Sequence, residues 1–269
     1  MKFVKVLAIA ATLATPFSAH AATVTQQTSD IFTGDAGKLG GTRVMIFNTT
    51  TPDPHDYMTG LAGAFQLQSH LDIDGNGTIG DGTKGAFEKF IGFCITPFTY
   101  LKRSGTSLVG DYTLHDEITS GIKSLSLERL KMLGALAKGA WDLMDDSIEN
   151  AVAFQLAAWE IVAETRPHLS VYEVGPADKN FRVRAPSKYL QATSIATAND
   201  WLSKLGTKGW ELSTAGLKIL TVPVDTAGRD TTQDLMTYVP PAPVPLPGAL
   251  GMLAAGLAAF AAIGRARRA

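Results

Sequence analysis

The chain carries a single cysteine, Cys94, in 269 residues. No internal disulfide can form, so an apolar core alone must hold the fold. With 45% apolar residues, the composition permits such a core. Cys94 sits in the apolar triplet Phe93-Cys94-Ile95, at the end of a strand-like stretch, Ala86 to Ile95, that Pro97 closes. A second apolar run, Ala153 to Val162, holds one carboxamide, Gln155. On a helix Gln155 shares a stripe with Val152 and Trp159. Burying a primary amide without partners costs a few kcal/mol. Gln155 is therefore either hydrogen-bonded to nearby backbone or has exchanged its amide nitrogen for another bond.

The two ends read as targeting segments. Residues 1–21 have the form of a secretory signal peptide: Lys2 and Lys5, the apolar stretch Val6 to Leu13, and the small-x-small site Ala19-His20-Ala21. At the other end, a Pro-rich linker over 240–247 precedes an apolar Gly/Ala/Leu helix over 248–264 and a basic tail over 265–269. Arg265, Arg267 and Arg268 would keep that tail cytoplasmic. Val244-Pro245-Leu246-Pro247, the apolar helix and the arginines together resemble the PEP-CTERM sorting signal in its VPLPA variant, with Gly248 at the fifth position. The resemblance implies a Gram-negative, exopolysaccharide-producing source and processing by an exosortase. It also implies a transient inner-membrane anchor, then release to the envelope, outer surface or extracellular matrix. A plain tail anchor is the alternative.

The two ends hold five of the 24 Lys+Arg and none of the 25 Asp+Glu, which leaves the mature part at −6 (19 against 25). Such a chain has no basic footprint for nucleic acid. About 220 residues remain, which suits one domain or two small ones. After a lead-in over 22–41, strands are expected at Thr42–Phe47, Gly63–Gln68 and Ala86–Ile95. Helices are expected at Leu127–Met144 with Ser126 as N-cap, from Asp146-Ser147-Ile148-Glu149 to Glu164, and at Ser194–Leu205 with Gly206 as stop. Closing strands follow at Leu217–Val222 and Leu235–Val239. Strands, then about three helices, then strands predict an α+β, β-rich domain over 42–239.

A thiol and an apolar-embedded carboxamide are the two reactants of an internal thioester. Cys94 sulfur would attack the Gln155 side-chain carbonyl and expel ammonia, and aromatic neighbours would keep water out. An amine or hydroxyl would later take the acyl group and free the thiol. Phe93-Cys94-Ile95 and Phe154-Gln155-Leu156-Ala157-Ala158-Trp159 resemble the two signatures of bacterial thioester domains, an aromatic-Cys-aliphatic triplet and a Gln-x-Ala-aliphatic-Trp helix. Phe154 stands where adhesins often carry Thr, and Ala158 where Ile is usual. The resemblance implies a surface adhesion protein, with Cys94 as thioester sulfur and Gln155 as acyl donor. Phe93, Phe154 and Trp159 would be the shield. It would act once per molecule, as a covalent tether rather than a turnover enzyme, and it requires no cofactor.

Two other readings stay open. A passive matrix protein would bury Cys94 as an inert thiol and simply hydrogen-bond Gln155. A cysteine hydrolase would recruit one of His55, His70, His115 or His168, none of which lies in a catalytic motif. Separately, Asp72, Asp74 and Asn76 occupy positions 1, 3 and 5 of a calcium-type loop with Gly77 at position 6. Position 12 is Thr83, and Asp81 comes two residues early. The segment reads as a weak Ca2+ site or a plain Gly-rich turn.

Overall fold

The computed structural model describes residues 20–26, 41–48, 57–69, 72–74, 88–99, 108–144, 147–164, 181–184, 192–228, 230 and 232–241. They form β1 (His20–Gln26), β2 (Gly41–Asn48), β3 (Tyr57–Gly63), β4 (Phe65–Ser69), β5 (Glu88–Cys94), β6 (Leu108–His115), α1 (Leu127–Ala140), α2 (Ile148–Ala163), β7 (Phe181–Arg184), α3 (Ala192–Lys204), β8 (Leu217–Thr221) and β9 (Leu235–Tyr238). A 3-10 turn, Trp141–Met144, follows α1. The content is mixed helix and strand, with the helices lying in sequence between strands.

Six strands close a barrel in the order β1-β4-β5-β9-β8-β6, and β3-β2-β7 form a second sheet. Every pairing between these strands is antiparallel. Closure removes the exposed strand edges that an open sheet would carry. Of the two contact units of the chain, Met1–Val239 and Pro240–Ala269, the first contains all these elements.

α2 organises the interior. Every residue from Ala151 to Ile161 is buried, so this helix is buried on all sides rather than along one stripe. Its alanines at 151, 153, 157 and 158 leave room for neighbours on all sides, and it packs against α1, α3, β5 and the second sheet. Ser126 caps α1 as expected, its hydroxyl accepting from Arg129 N–H. The cap of α2 is Ser147, which accepts from Asn150 N–H at 3.2 Å, one residue beyond the expected Asp146. α1 passes so close to the segment before β8 that a Cβ on Gly134 would lie 1.9 Å from the Ser213 carbonyl oxygen.

Other expectations are adjusted. β3, β6 and β7 come from segments that carry no strong strand pattern; β3 pairs with its neighbour β2, whereas β6 and β7 pair with strands distant in sequence. β1 covers His20–Gln26, across the end of the expected signal peptide and the start of the lead-in. Residues 1–19 and the sorting tail, with Val244, Pro245, Leu246, Pro247, Arg265, Arg267 and Arg268, lie outside the described residues. No helix among the described residues is long and apolar enough to cross a membrane.

Candidate functional site

Cys94 is the last residue of β5 and is buried, 1% exposed. On one side β5 meets β9, with Cys94 opposite Leu235, and the Ile95 N–H donates to the Asp234 carbonyl at 2.9 Å. Polar groups of successive antiparallel residues point to opposite sides. The main chain of Cys94 therefore faces away from β9, toward the β4 side. There β4 has already ended, with Phe65 opposite Gly92. Two buried peptide groups would be stranded at this gap.

Gln155 fills it. Its Oε1 accepts from the Cys94 N–H at 3.0 Å and its Nε2 donates to the Cys94 carbonyl at 2.7 Å. The carboxamide stands in for the missing strand residue and is satisfied at both ends while 0% exposed. The fold places Cys94 and Gln155 in contact. The contact, however, is between side-chain amide and backbone, not between amide and thiol.

The thiol turns to a different carboxamide. Cys94 Sγ donates to Oε1 of Gln233, in the segment leading into β9. Nε2 of Gln233 donates to the carbonyls of Thr96 (3.4 Å) and Thr99. The main-chain carbonyl of Gln233 accepts from the Tyr112 hydroxyl at 3.1 Å. Gln233 is 8% exposed. The sequence hides it in a polar stretch, Thr231-Thr232-Gln233-Asp234, which reads as a loop. Its one local signal is its place two residues before an expected strand.

Burial holds the Cys94 thiol well above its usual range, so the proton stays on sulfur. Burial is also the first cause that raises the Tyr112 phenol, and the neighbouring Cys94 adds to it. Both groups are thus neutral. A thioester would be neutral too, and would place no charge in this interior.

The expected shield divides into two clusters. Phe93 and Phe154 pack as a tilted pair with ring centroids 4.3 Å apart, and Trp141 meets each of them at 5.9 Å. Successive strand residues face opposite ways, so this cluster seals the β5–α2 interface on the side away from the thiol. Trp141 is a member that the motifs did not single out. Trp159 instead contacts Phe181 at 6.4 Å, and Phe181 contacts Phe98 at 6.4 Å.

Beside the site lies a cavity of about 200 Å3. Ile95, Thr96, Phe98 and Thr99 line one wall, with Lys123, Asp230 and Asp234 at another. Lys123 Nζ reaches Asp230 at 2.7 Å and Asp234 at 2.8 Å. Asp234 is held above the usual carboxylate range by burial, an effect its bond to Lys123 opposes. Its neighbour His115 bonds Thr221 Oγ1 at 3.0 Å rather than the thiol, and burial lowers its pKa from 6.5. His55, His70 and His168 lie outside the described residues. Of the calcium-type loop, Asp72 is half-buried and Asp74 exposed, while Asn76 and Asp81 lie outside the described residues. Among the described residues no group of three or more His, Cys, Asp or Glu could hold a metal ion. No family model matches the chain, nor does any curated protein or solved structure.

Proposed function

We propose that this is an exported surface protein whose barrel domain carries an internal thioester for covalent attachment to a partner. The observation that carries the reading is the contact of the sole, buried thiol with the carboxamide of Gln233. The acyl donor is accordingly Gln233, with Gln155 as the group that fixes the Cys94 main chain. Cys94 sulfur bonds to the Gln233 side-chain carbon, the C–N bond breaks, and the thiol proton leaves with the nitrogen as ammonia. An amine or hydroxyl arriving through the adjacent cavity then forms an amide or ester at Gln233 and returns a proton to the sulfur. Water in the same role leaves glutamate at 233. The signal-like N-terminus and the VPLPA-type tail support export, exosortase sorting and residence in the envelope or matrix.

Intact mass of the native, processed protein before and after methylamine is the test. The expected result is a mass one ammonia below the sequence that rises by one methylamine on treatment, with a newly titratable Cys94 and the adduct mapped to Gln233. An adduct on Gln155 would return the acyl role to that residue. A mass equal to the sequence, without adduct in fresh or denatured samples, would favour the passive matrix protein. The full satisfaction of Gln155 is the observation that speaks for that second reading.

A further inference from the structure

Gln233 has no helix or strand of its own to hold it, since β9 begins at Leu235. Its position comes from the next residue. Asp234 is joined to the chain beyond Cys94 by two main-chain bonds, Ile95 N–H to its carbonyl at 2.9 Å and its own N–H to Thr96 Oγ1 at 2.9 Å. Its side chain, 6% exposed, accepts from Val222 N–H at 2.8 Å and from Lys123 Nζ at 2.8 and 2.9 Å. The same ammonium holds Asp230 at 2.7 Å, three residues before Gln233. Lys123 thus grips the Gln233 segment on both sides.

The backbone at Lys123 is unusual in the same way. Ile122 and Leu125 close a two-residue turn with reciprocal bonds of 3.0 and 2.9 Å. Lys123, at φ 50°, is the non-glycine residue with positive φ among the described residues. Glycine would adopt that conformation with less strain, by about 1 kcal/mol. The turn therefore gains nothing from a lysine backbone. What the lysine brings is its ammonium, placed between two carboxylates.

Resting on the thioester reading above, we infer that Lys123 is a positioning residue for the reaction. By bridging Asp230 and Asp234 it keeps the segment clamped so that the Gln233 carbonyl stays on the Cys94 sulfur. Without it the mostly buried Asp234 carboxylate would keep, among the described residues, the Val222 N–H as its partner and draw toward water, taking Gln233 with it. Glycine in place of lysine relaxes the turn and offsets part of the lost pair, so comparing it with methionine separates the cost to acyl transfer from the cost to the barrel.

The experiment uses the full processed chain with Lys123→Gly, Lys123→Met and Lys123→Arg, reading thioester fraction and its hydrolysis half-life by intact mass, together with Tm. Loss of the buried pair is expected to lower the fraction or the half-life about tenfold in the Gly and Met variants. Lys123→Arg should restore most of it, and Lys123→Gly should melt above Lys123→Met, since both lose the pair and only glycine relieves the turn. If wild type loses ammonia and Lys123→Gly matches it in both quantities, this inference falls while the thioester stands. If wild type keeps its full mass with Gln233 intact, both fall. A methylamine-resistant loss of ammonia, mapped to a Lys123–Gln233 isopeptide, would make Lys123 the nucleophile and also overturn the positioning role.

Discussion

On the thioester proposal the two glutamines at Cys94 have different jobs, and Gln155→Leu tests that division. Leucine matches the volume of glutamine but offers neither donor nor acceptor. The substitution strands the Cys94 N–H and carbonyl, now bonded at 3.0 and 2.7 Å in a region where Gln155 is 0% exposed. Each buried backbone group left unsatisfied costs about 1–3 kcal/mol, so the pair should cost about 4 kcal/mol, less what leucine recovers by its own burial. For a domain of this size each kcal/mol moves Tm by about 2–4 °C, which predicts a fall of about 8–16 °C. Gln233→Leu should behave differently. Its Nε2 partners, the carbonyls of Thr96 and Thr99, belong to residues lining a cavity and are open to replacement by water. The expected result is a Tm within about 4 °C of wild type with complete loss of the ammonia deficit. Thermal unfolding by circular dichroism and intact mass, run on both variants, are the assays. A Gln155→Leu protein that melts like wild type and lacks the thioester would refute this division of labour and make Gln155 the acyl donor.

Three further outcomes follow from the packing. Gly134→Ala should cost about 1–3 kcal/mol by chemical denaturation, because its Cβ would meet the Ser213 backbone oxygen at 1.9 Å and no side chain can step aside. Ser147→Ala should cost about 1 kcal/mol in the same assay by removing the α2 cap. Burial lowers the His115 pKa from 6.5, so below that pH the unfolded state binds the extra proton and stability falls as pH drops through 6.5. Tm measured from pH 8 to 5 should therefore show a shallower acid-side decline in His115→Gln than in wild type; an identical decline would contradict the assignment.

The helices were readable in the sequence because their information is local. Ser126 and Ser147 cap them, and Gly206, at φ 81°, ends the stretch after α3. Strands whose residues alternate clearly, such as β4 and β5, were readable too. β6, with Gly110 and Asp111 in its middle, was not, since its stability comes from β1 and β8 across the barrel. The continuous apolar run of α2 already held the sign of a helix buried on all sides, which a stripe could not explain. Gln155 was visible as a polar group in an apolar setting. Gln233 was not, because a polar residue in a polar segment has no local contrast. Its meeting with Cys94 spans 139 residues and exists through the β5–β9 pairing.

That pairing also decides where tension would run. If a partner is joined at Gln233 and the chain is tethered through its tail, a pull between them passes from residue 233 along β9 to Val239 and out into the proline-rich segment. The other five barrel strands and the helices α1, α2 and α3 stand outside that path. The rest of the domain would then serve to build and guard the bond, while a few residues of one strand, flanked by β5 and β8, carry the strain. Such a fastener could hold against flow without having to resist unfolding as a whole.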